Sequence, residues 1–329
     1  MMRTSNKQTV DWLTEKVRRL VEFSNEIAST SNLHYGGHLW SIVKLLLLSG
    51  WVYVYTTIIP KHFLKYRYVD LLAGAGTTEV KETKDVVVGS AFIPYFFART
   101  QFTDYVFIEK DGGRCDALNQ RTAKLQGKFQ VLEGDCNELV KSALLTEDKA
   151  HNLVFVDNAG FNASWKTVET VLRANADVLI LFPTSSVPRT RDERTGASLD
   201  RFFGDQCWSE VEGYKDCLKI YLQRLKQQFE SQRNKQAYVS SVRVGGGNFF
   251  YDIILVCRQG PYVRAWDYLK GILNWTDPNV VQTTLDFLKG RGTRIDSWFT
   301  ELDKITSKKD AKLGDTGGTL EPYLNPEKD

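Results

Sequence analysis

The sequence predicts an α/β fold: an open, mostly parallel seven-stranded sheet with an antiparallel last strand, plus helical additions at both ends. Three observations carry this expectation. Apolar strand-like runs alternate with helical periodicity from residue 66 to 182. One run, Tyr68-Val69-Asp70-Leu71-Leu72-Ala73-Gly74-Ala75-Gly76, reads as a buried strand with an acidic tip and a Gly-x-Gly turn. A hairpin, residues 238–244 and 249–257 around Gly245-Gly246-Gly247-Asn248, then follows the alternating units and supplies the antiparallel strand.

The first helix is read from Val10, Leu13, Val17, Leu20 and Val21, which fall at helical spacing. A turn-rich joint follows, in which His34 and His38 stand four apart. Gly36-Gly37 between them argues against the helix that would bring both onto one ion, so no metal is expected. Residues 39–59 are apolar and close to the roughly 20 residues that a membrane span needs. Lys44 in the run and Gly50 behind the leucines favour a core helix on the sheet, with no membrane. Pro60 ends it, and strand one runs to Asp70. Residues 77–104 are expected to be an inserted loop plus a helix after Pro94.

Strand two, residues 105–109, ends on Glu109, and a helix at 114–125 follows it. Strand three, 129–132, runs into Gly134-Asp135-Cys136, and strand four, 153–156, into Asp157-Asn158-Ala159-Gly160-Phe161. After a helix at 165–173, strand five at 178–182 is closed by Pro183. Residues 184–213 read as a long polar loop holding Arg189, Arg191, Arg194 and Arg201. An amphipathic basic helix at 214–232 leads to the hairpin, and helices at 266–273 and 281–288 lie beyond it. The expected organisation is a helical region at 1–60, a sheet domain at 61–260, a helical extension at 261–306 and a disordered tail at 307–329.

Composition sets bounds on function. With 329 residues, 42% of them hydrophobic, the chain can bury a large core. Its 43 basic and 40 acidic residues leave a charge of only +3, so any basic site must come from clustering. Five cysteines without a Cys-x-x-Cys pair read as reduced thiols, and the first thirty residues are too polar for a signal peptide. A cytoplasmic location is expected.

The strand tips point to a nucleotide-type ligand at the carboxyl edge of the sheet. A dinucleotide fingerprint needs Gly or Ala at the sixth position from Gly74, where this chain has Glu79, a carboxylate expected to repel phosphates. No phosphate-binding Gly-x-x-x-x-Gly-Lys-Ser/Thr occurs either. Asp-x-x-Ala-Gly-x-Gly is instead the shape of the first motif of Rossmann-like class I methyltransferases, whose ligand S-adenosylmethionine carries no phosphate. Asp70, Ala73, Gly74 and Gly76 are then cofactor-binding candidates. Glu109 and Lys110 would face the ribose, Asp135 the adenine amino group and Cys136 the ring, with Asp157 closing the row. Each carboxylate alone could cap the next helix. Four in a row beside a Gly-x-Gly turn fit a ligand with an ammonium, two ribose hydroxyls and an adenine amine. A strand-tip carboxylate facing a cleft, such as Glu109, is expected to carry little of the fold.

In their order, Tyr68-x-Asp70-Leu71-x-Ala73-Gly74-x-Gly76, Gly89-Ser90, Phe107-Ile108-Glu109-Lys110, Gly134-Asp135-Cys136-Asn137 and Phe155-x-Asp157 resemble the three-Cys-motif partner proteins. Leu199-Asp200-Arg201-Phe202-Phe203-Gly204 and Trp208 resemble that family's loop after strand five, so the likeness covers residues 35–266. The resemblance implies a class I methyltransferase-like fold and an iron–sulfur protein of the radical type, with a three-cysteine motif, as partner. The chain departs from the family at Asn158, where the family has proline, and Phe161 stands one place late.

Two functions follow. In one, the protein is an S-adenosylmethionine-dependent methyltransferase: Asp157 and Asn158 orient the acceptor, and Phe161, Arg189, Arg191 and Arg194 contact it, with a nucleic acid or a protein partner as the candidates. In the other, it is a silent module that keeps the pocket and serves an iron–sulfur partner or a defence complex.

Overall fold

The computed structural model describes residues 2–144, 150–158, 160–190, 196–211, 213–272, 279–288 and 290. Arg191, Arg194 and the tail at 307–329 lie outside them. The chain opens with α1 (Met2–Ala28), whose Leu13, Val17, Leu20 and Ile27 are fully buried. A short strand β1 (Tyr35–Gly37) precedes α2 (Leu39–Ile58), and a single turn containing Pro60 ends that helix. The alternating part then runs β2 (Tyr66–Asp70), β3 (Thr77–Val80), β4 (Val86–Val88), α3 (Ile93–Phe97) and β5 (Asp104–Glu109). It continues through α4 (Gly112–Thr122), β6 (Phe129–Glu133), α5 (Cys136–Leu144), β7 (His151–Val156), α6 (Trp165–Arg173) and β8 (Ala176–Phe182). After α7 (Gly196–Phe203) and α8 (Tyr214–Arg233) come β9 (Ala237–Gly246), β10 (Phe249–Arg258), α9 (Val263–Ile272) and α10 (Asn279–Leu288).

The seven-stranded sheet has the order β6-β5-β2-β7-β8-β10-β9. All neighbours are parallel except β10, which runs antiparallel to both β8 and β9. This is the Rossmann-like class I methyltransferase arrangement expected from the sequence. Strands β2, β7 and β8 are buried at every position, as a sheet covered on both faces requires. Alternation sorts their side chains. Leu153 and Phe155 join the core under α1, α2 and α9, while Val154 and Val156 join the core under α5, α6 and α8.

Helix α2 is long and apolar enough to cross a membrane, but 83% of that stretch is buried inside the fold. Trp51 packs edge-on against Trp266 of α9, with ring centroids 5.6 Å apart. A Cβ on Gly50 would sit 2.6 Å from Leu269 Cδ2, so the glycine allows α2 and α9 their close approach. The N- and C-terminal additions therefore meet on one face of the sheet.

Two segments differ from the sequence reading. Residues 77–88 form a hairpin rather than a loop, and β1 pairs in parallel with β3 to make a separate three-stranded sheet. The described residues of the second stretch, 184–190 and 196–211, do not form a polar loop. Val187, Leu199, Phe202 and Phe203 are fully buried, because α7 turns Leu199, Phe202 and Phe203 onto one stripe facing α8.

Candidate functional site

Strand order reverses between β2 and β7, and a crevice opens beyond the carboxyl ends of such strands. A cleft of about 400 Å³ lies there, lined by the Ala73–Gly76 turn, Glu109, Lys110, Asp135, Cys136 and Asp157. The turn is pinned on both sides by strand ends: Leu71 N–H donates to Phe155 O at 3.1 Å and Ala73 N–H to Ile108 O at 2.9 Å. Gly74 and Gly76 take φ of +62° and +83°, and a Cβ on Gly76 would stand 2.3 Å from Phe92 Cε2. Only glycine fits there. The buried Arg121 guanidinium donates to Ala75 O, and to Ser31 O and Leu33 O at 2.8 and 3.0 Å, tying the turn to the segment before β1.

Beyond Gly76 the chain enters β3 rather than a helix. A dinucleotide turn opens into a helix whose N-terminus receives the pyrophosphate, and that device is missing from this turn. Glu79 does not face the turn as expected. It sits on β3, half-exposed, with Lys84 at 3.3 Å, so what disfavours a dinucleotide is the turn opening into a strand and not Glu79.

Glu109 is only 7% exposed. Its Oε2 accepts from Gly74 N–H at 2.8 Å, and its Oε1 from Lys110 and Asp111 N–H at 3.0 Å each. The carboxylate therefore clamps the Gly turn to the tip of β5, and the expectation that it carries little of the fold is corrected. Three of its roughly four lone-pair sites are used, so one hydroxyl rather than two has a place on Oε2. Arg114 approaches Glu109 at 3.7 Å and covers the Tyr35 ring at 5.4 Å, on the rim of the cleft.

Asp135 accepts from Asn137 N–H at 2.9 Å and faces Lys110 Nζ at 3.2 Å. Burial alone would raise its pKa, but the Asn137 bonds and the Lys110 ammonium outweigh it and hold the carboxyl below its ordinary value. Burial pushes the Cys136 thiol up to about 12, so it offers an apolar wall and not a nucleophile. Asp70 is fully buried beneath the cleft, where Leu72 N–H (3.2 Å) and Tyr68 Oη (3.4 Å) reach it. Burial raises its pKa to about 7.

Asp157 lines the cleft and pairs with Lys44 of α2, a residue that sequence reasoning treated only as an argument against a membrane span. The signal was present, since Lys44 is the lone charge in a 20-residue apolar helix. Asn158 and Phe161 depart from the roles expected of them. Asn158 is fully buried and its Oδ1 accepts from Ala163 N–H at 2.9 Å, closing the loop after β7. Phe161, at φ +54°, turns inward and packs edge-on against Phe202 at 5.0 Å. Neither faces the cleft. Arg189 is exposed and bonded to Ser185 O at 3.1 Å, away from the lining, whereas Arg201 of α7 does reach it. His34 and His38 diverge to Thr77 and Glu82, and among the described residues no group of three acidic, His or Cys side chains could hold a metal.

No family model and no curated protein matches the chain. Among solved structures, LPL1258 of Legionella pneumophila str. Philadelphia 1 is similar at 11% identity and a TM-score of 0.44, over 78% of this chain and 95% of that one. Trm1 of Pyrococcus horikoshii with S-adenosyl-L-methionine gives 10% and 0.40, over 68% and 57%. MtNAS in complex with MTA and tNA gives 9% and 0.27, over 77% and 71%. With TM-scores below 0.5, the reading of the site rests on its own geometry.

Proposed function

We propose that this cleft binds S-adenosylmethionine and that the protein transfers its methyl group to an acceptor. One observation carries the reading: a Gly-x-Gly turn that feeds a strand, with carboxylates at the next two strand tips. That arrangement suits a nucleoside without phosphates. The residues fit the cofactor, since a Cβ on Gly74 would meet nothing nearer than Tyr35 at 3.9 Å, which leaves the backbone there open to close approach, and Asp157 Oδ1 is a buried acceptor without a partner among the described residues. Glu109 would take a ribose hydroxyl on its remaining lone pair, Asp135 the adenine amino group, and Cys136 would pack on the ring. The cofactor supplies an activated methyl on a sulfonium. What the chain must do is align donor and acceptor and exclude water, which needs few acid–base groups.

The acceptor proposed is nucleic acid. Arg201 at the cleft supports it, because an arginine there can contact a phosphate. The resemblance to three-Cys-motif partner proteins supports an iron–sulfur protein as partner. One observation favours the silent-module reading instead: Asn158 and Phe161, expected to orient an acceptor, are built into the core. Incubation with tritiated S-adenosylmethionine and total RNA, DNA or lysate separates the two. Label in one acceptor fraction supports transfer, and binding of the cofactor with no label anywhere makes the module reading the better one.

A further inference from the structure

The ion pair of Lys44 and Asp157 is the least satisfied charge pair in the cleft. The two residues come from elements far apart in sequence, α2 and the tip of β7, and meet at the strand-order reversal. Their side chains are only 12% and 17% exposed. Burying such charges is costly unless the geometry is good and their remaining protons and lone pairs are also satisfied. Here they are not. An ammonium has three protons to donate, and Lys44 makes one hydrogen bond among the described residues. Asp157 Oδ1 has no partner among them. The other groups that sense this pair are Asp70 and the Tyr68 and Tyr251 hydroxyls, none of which completes it.

A cation short of acceptors beside an anion short of donors is complementary to a zwitterion. The amino-acid end of S-adenosylmethionine presents a carboxylate and an ammonium on one carbon. A dicarboxylate or a diamine would satisfy one member and be repelled by the other. Ser41, one turn before Lys44 on α2, and Ser90 add hydroxyls to the same lining. We propose that Lys44 and Asp157 hold the amino-acid end of the methyl donor, Lys44 taking its carboxylate and Asp157 its ammonium. This inference rests on the cofactor reading above and gives the pair a role in ligand selection rather than in proton transfer.

The test compares two ligands by calorimetry on the full chain. S-adenosylhomocysteine carries the amino-acid end, and 5′-methylthioadenosine is the same thioether nucleoside without it. Wild-type protein should prefer S-adenosylhomocysteine. Lys44→Met should weaken that ligand by roughly 10- to 100-fold, the range for a hydrogen bond to a charged group, and leave 5′-methylthioadenosine within about twofold. Lys44→Arg, which keeps the charge, should retain most of the preference. Because Lys44→Met strands a buried carboxylate, the double variant Lys44→Met/Asp157→Asn removes both charges together, and it should also lose the preference. If the preference survives in both neutralised proteins, or both ligands weaken equally, the pair does not read the amino-acid end and this inference fails while the cofactor reading stands. If wild-type protein binds neither ligand, the cofactor reading fails and this one with it.

Discussion

Removing the Glu109 carboxylate should loosen the turn that shapes the cleft. Glu109→Ala takes away the acceptor for Gly74 N–H at 2.8 Å and for Lys110 and Asp111 N–H at 3.0 Å. Lys110 and Asp111 are exposed and recover water, whereas Gly74 is half-buried. A hydrogen bond to a charged group contributes about 1.5–3 kcal/mol, and only one of the three is fully lost, so the expected cost is about 2–3 kcal/mol. Urea unfolding followed by circular dichroism reads this directly. With a slope of about 3 kcal/mol/M the midpoint should fall by roughly 0.7–1 M at unchanged slope. Glu109→Gln keeps one oxygen but turns an NH₂ toward a backbone N–H at one end, and should lie between the two. A Glu109→Ala midpoint within about 0.2 M of wild type would refute the clamp.

Four further outcomes are expected. Gly76→Ala places a Cβ 2.3 Å from Phe92 Cε2 at φ +83° and should cost about 2–3 kcal/mol or more, read as a lowered melting temperature. Gly74→Ala, with nothing nearer than 3.9 Å at φ +62°, should cost only the left-handed strain of about 1–2 kcal/mol. Burial raises Asp70 from 3.8 to about 7, so the folded state keeps a proton that the unfolded chain releases. Its contribution therefore falls as pH rises from about 4 to about 7, then levels off. Asp70→Asn should flatten that part of the stability profile between pH 5 and pH 8, and an unaltered profile would contradict it. Asn158→Ala leaves Ala163 N–H without its acceptor and should cost about 1–3 kcal/mol in urea unfolding, while S-adenosylhomocysteine affinity stays unchanged.

The sheet was legible because its signals are local. A run such as Leu153-Val154-Phe155-Val156 declares a doubly covered strand, and Gly74-Ala75-Gly76 declares a tight turn, at whose Gly76 no Cβ fits. The strand-tip carboxylates could be placed on one edge from chain order alone. Side-chain direction in loops was another matter. Whether Phe161 faces a ligand or the core depends on its φ of +54°, which no periodicity encodes. Asn158 was assigned to chemistry because of its place after Asp157, yet its amide closes a loop with Ala163. In residues 184–213 the arginines drew attention from Leu199, Phe202 and Phe203, whose helical spacing already marked a buried stripe. Lys44 stood out as a lone charge in an apolar helix, but its pairing could not be read: the partner lies 113 residues away, and only the packing of α2 on the sheet brings them together.

The central claim, that the cleft takes a phosphate-free nucleoside, is tested most directly by titrating the protein with S-adenosylhomocysteine, NAD and ATP in one calorimetric series. The turn that opens into β3 lacks a helix N-terminus for phosphates, and Glu109 and Asp135, to which the proposal gives the ribose and the adenine, line the cleft. S-adenosylhomocysteine should bind with one site per chain, and NAD and ATP should bind far more weakly or not at all. Tighter binding of NAD or ATP than of S-adenosylhomocysteine would contradict the account.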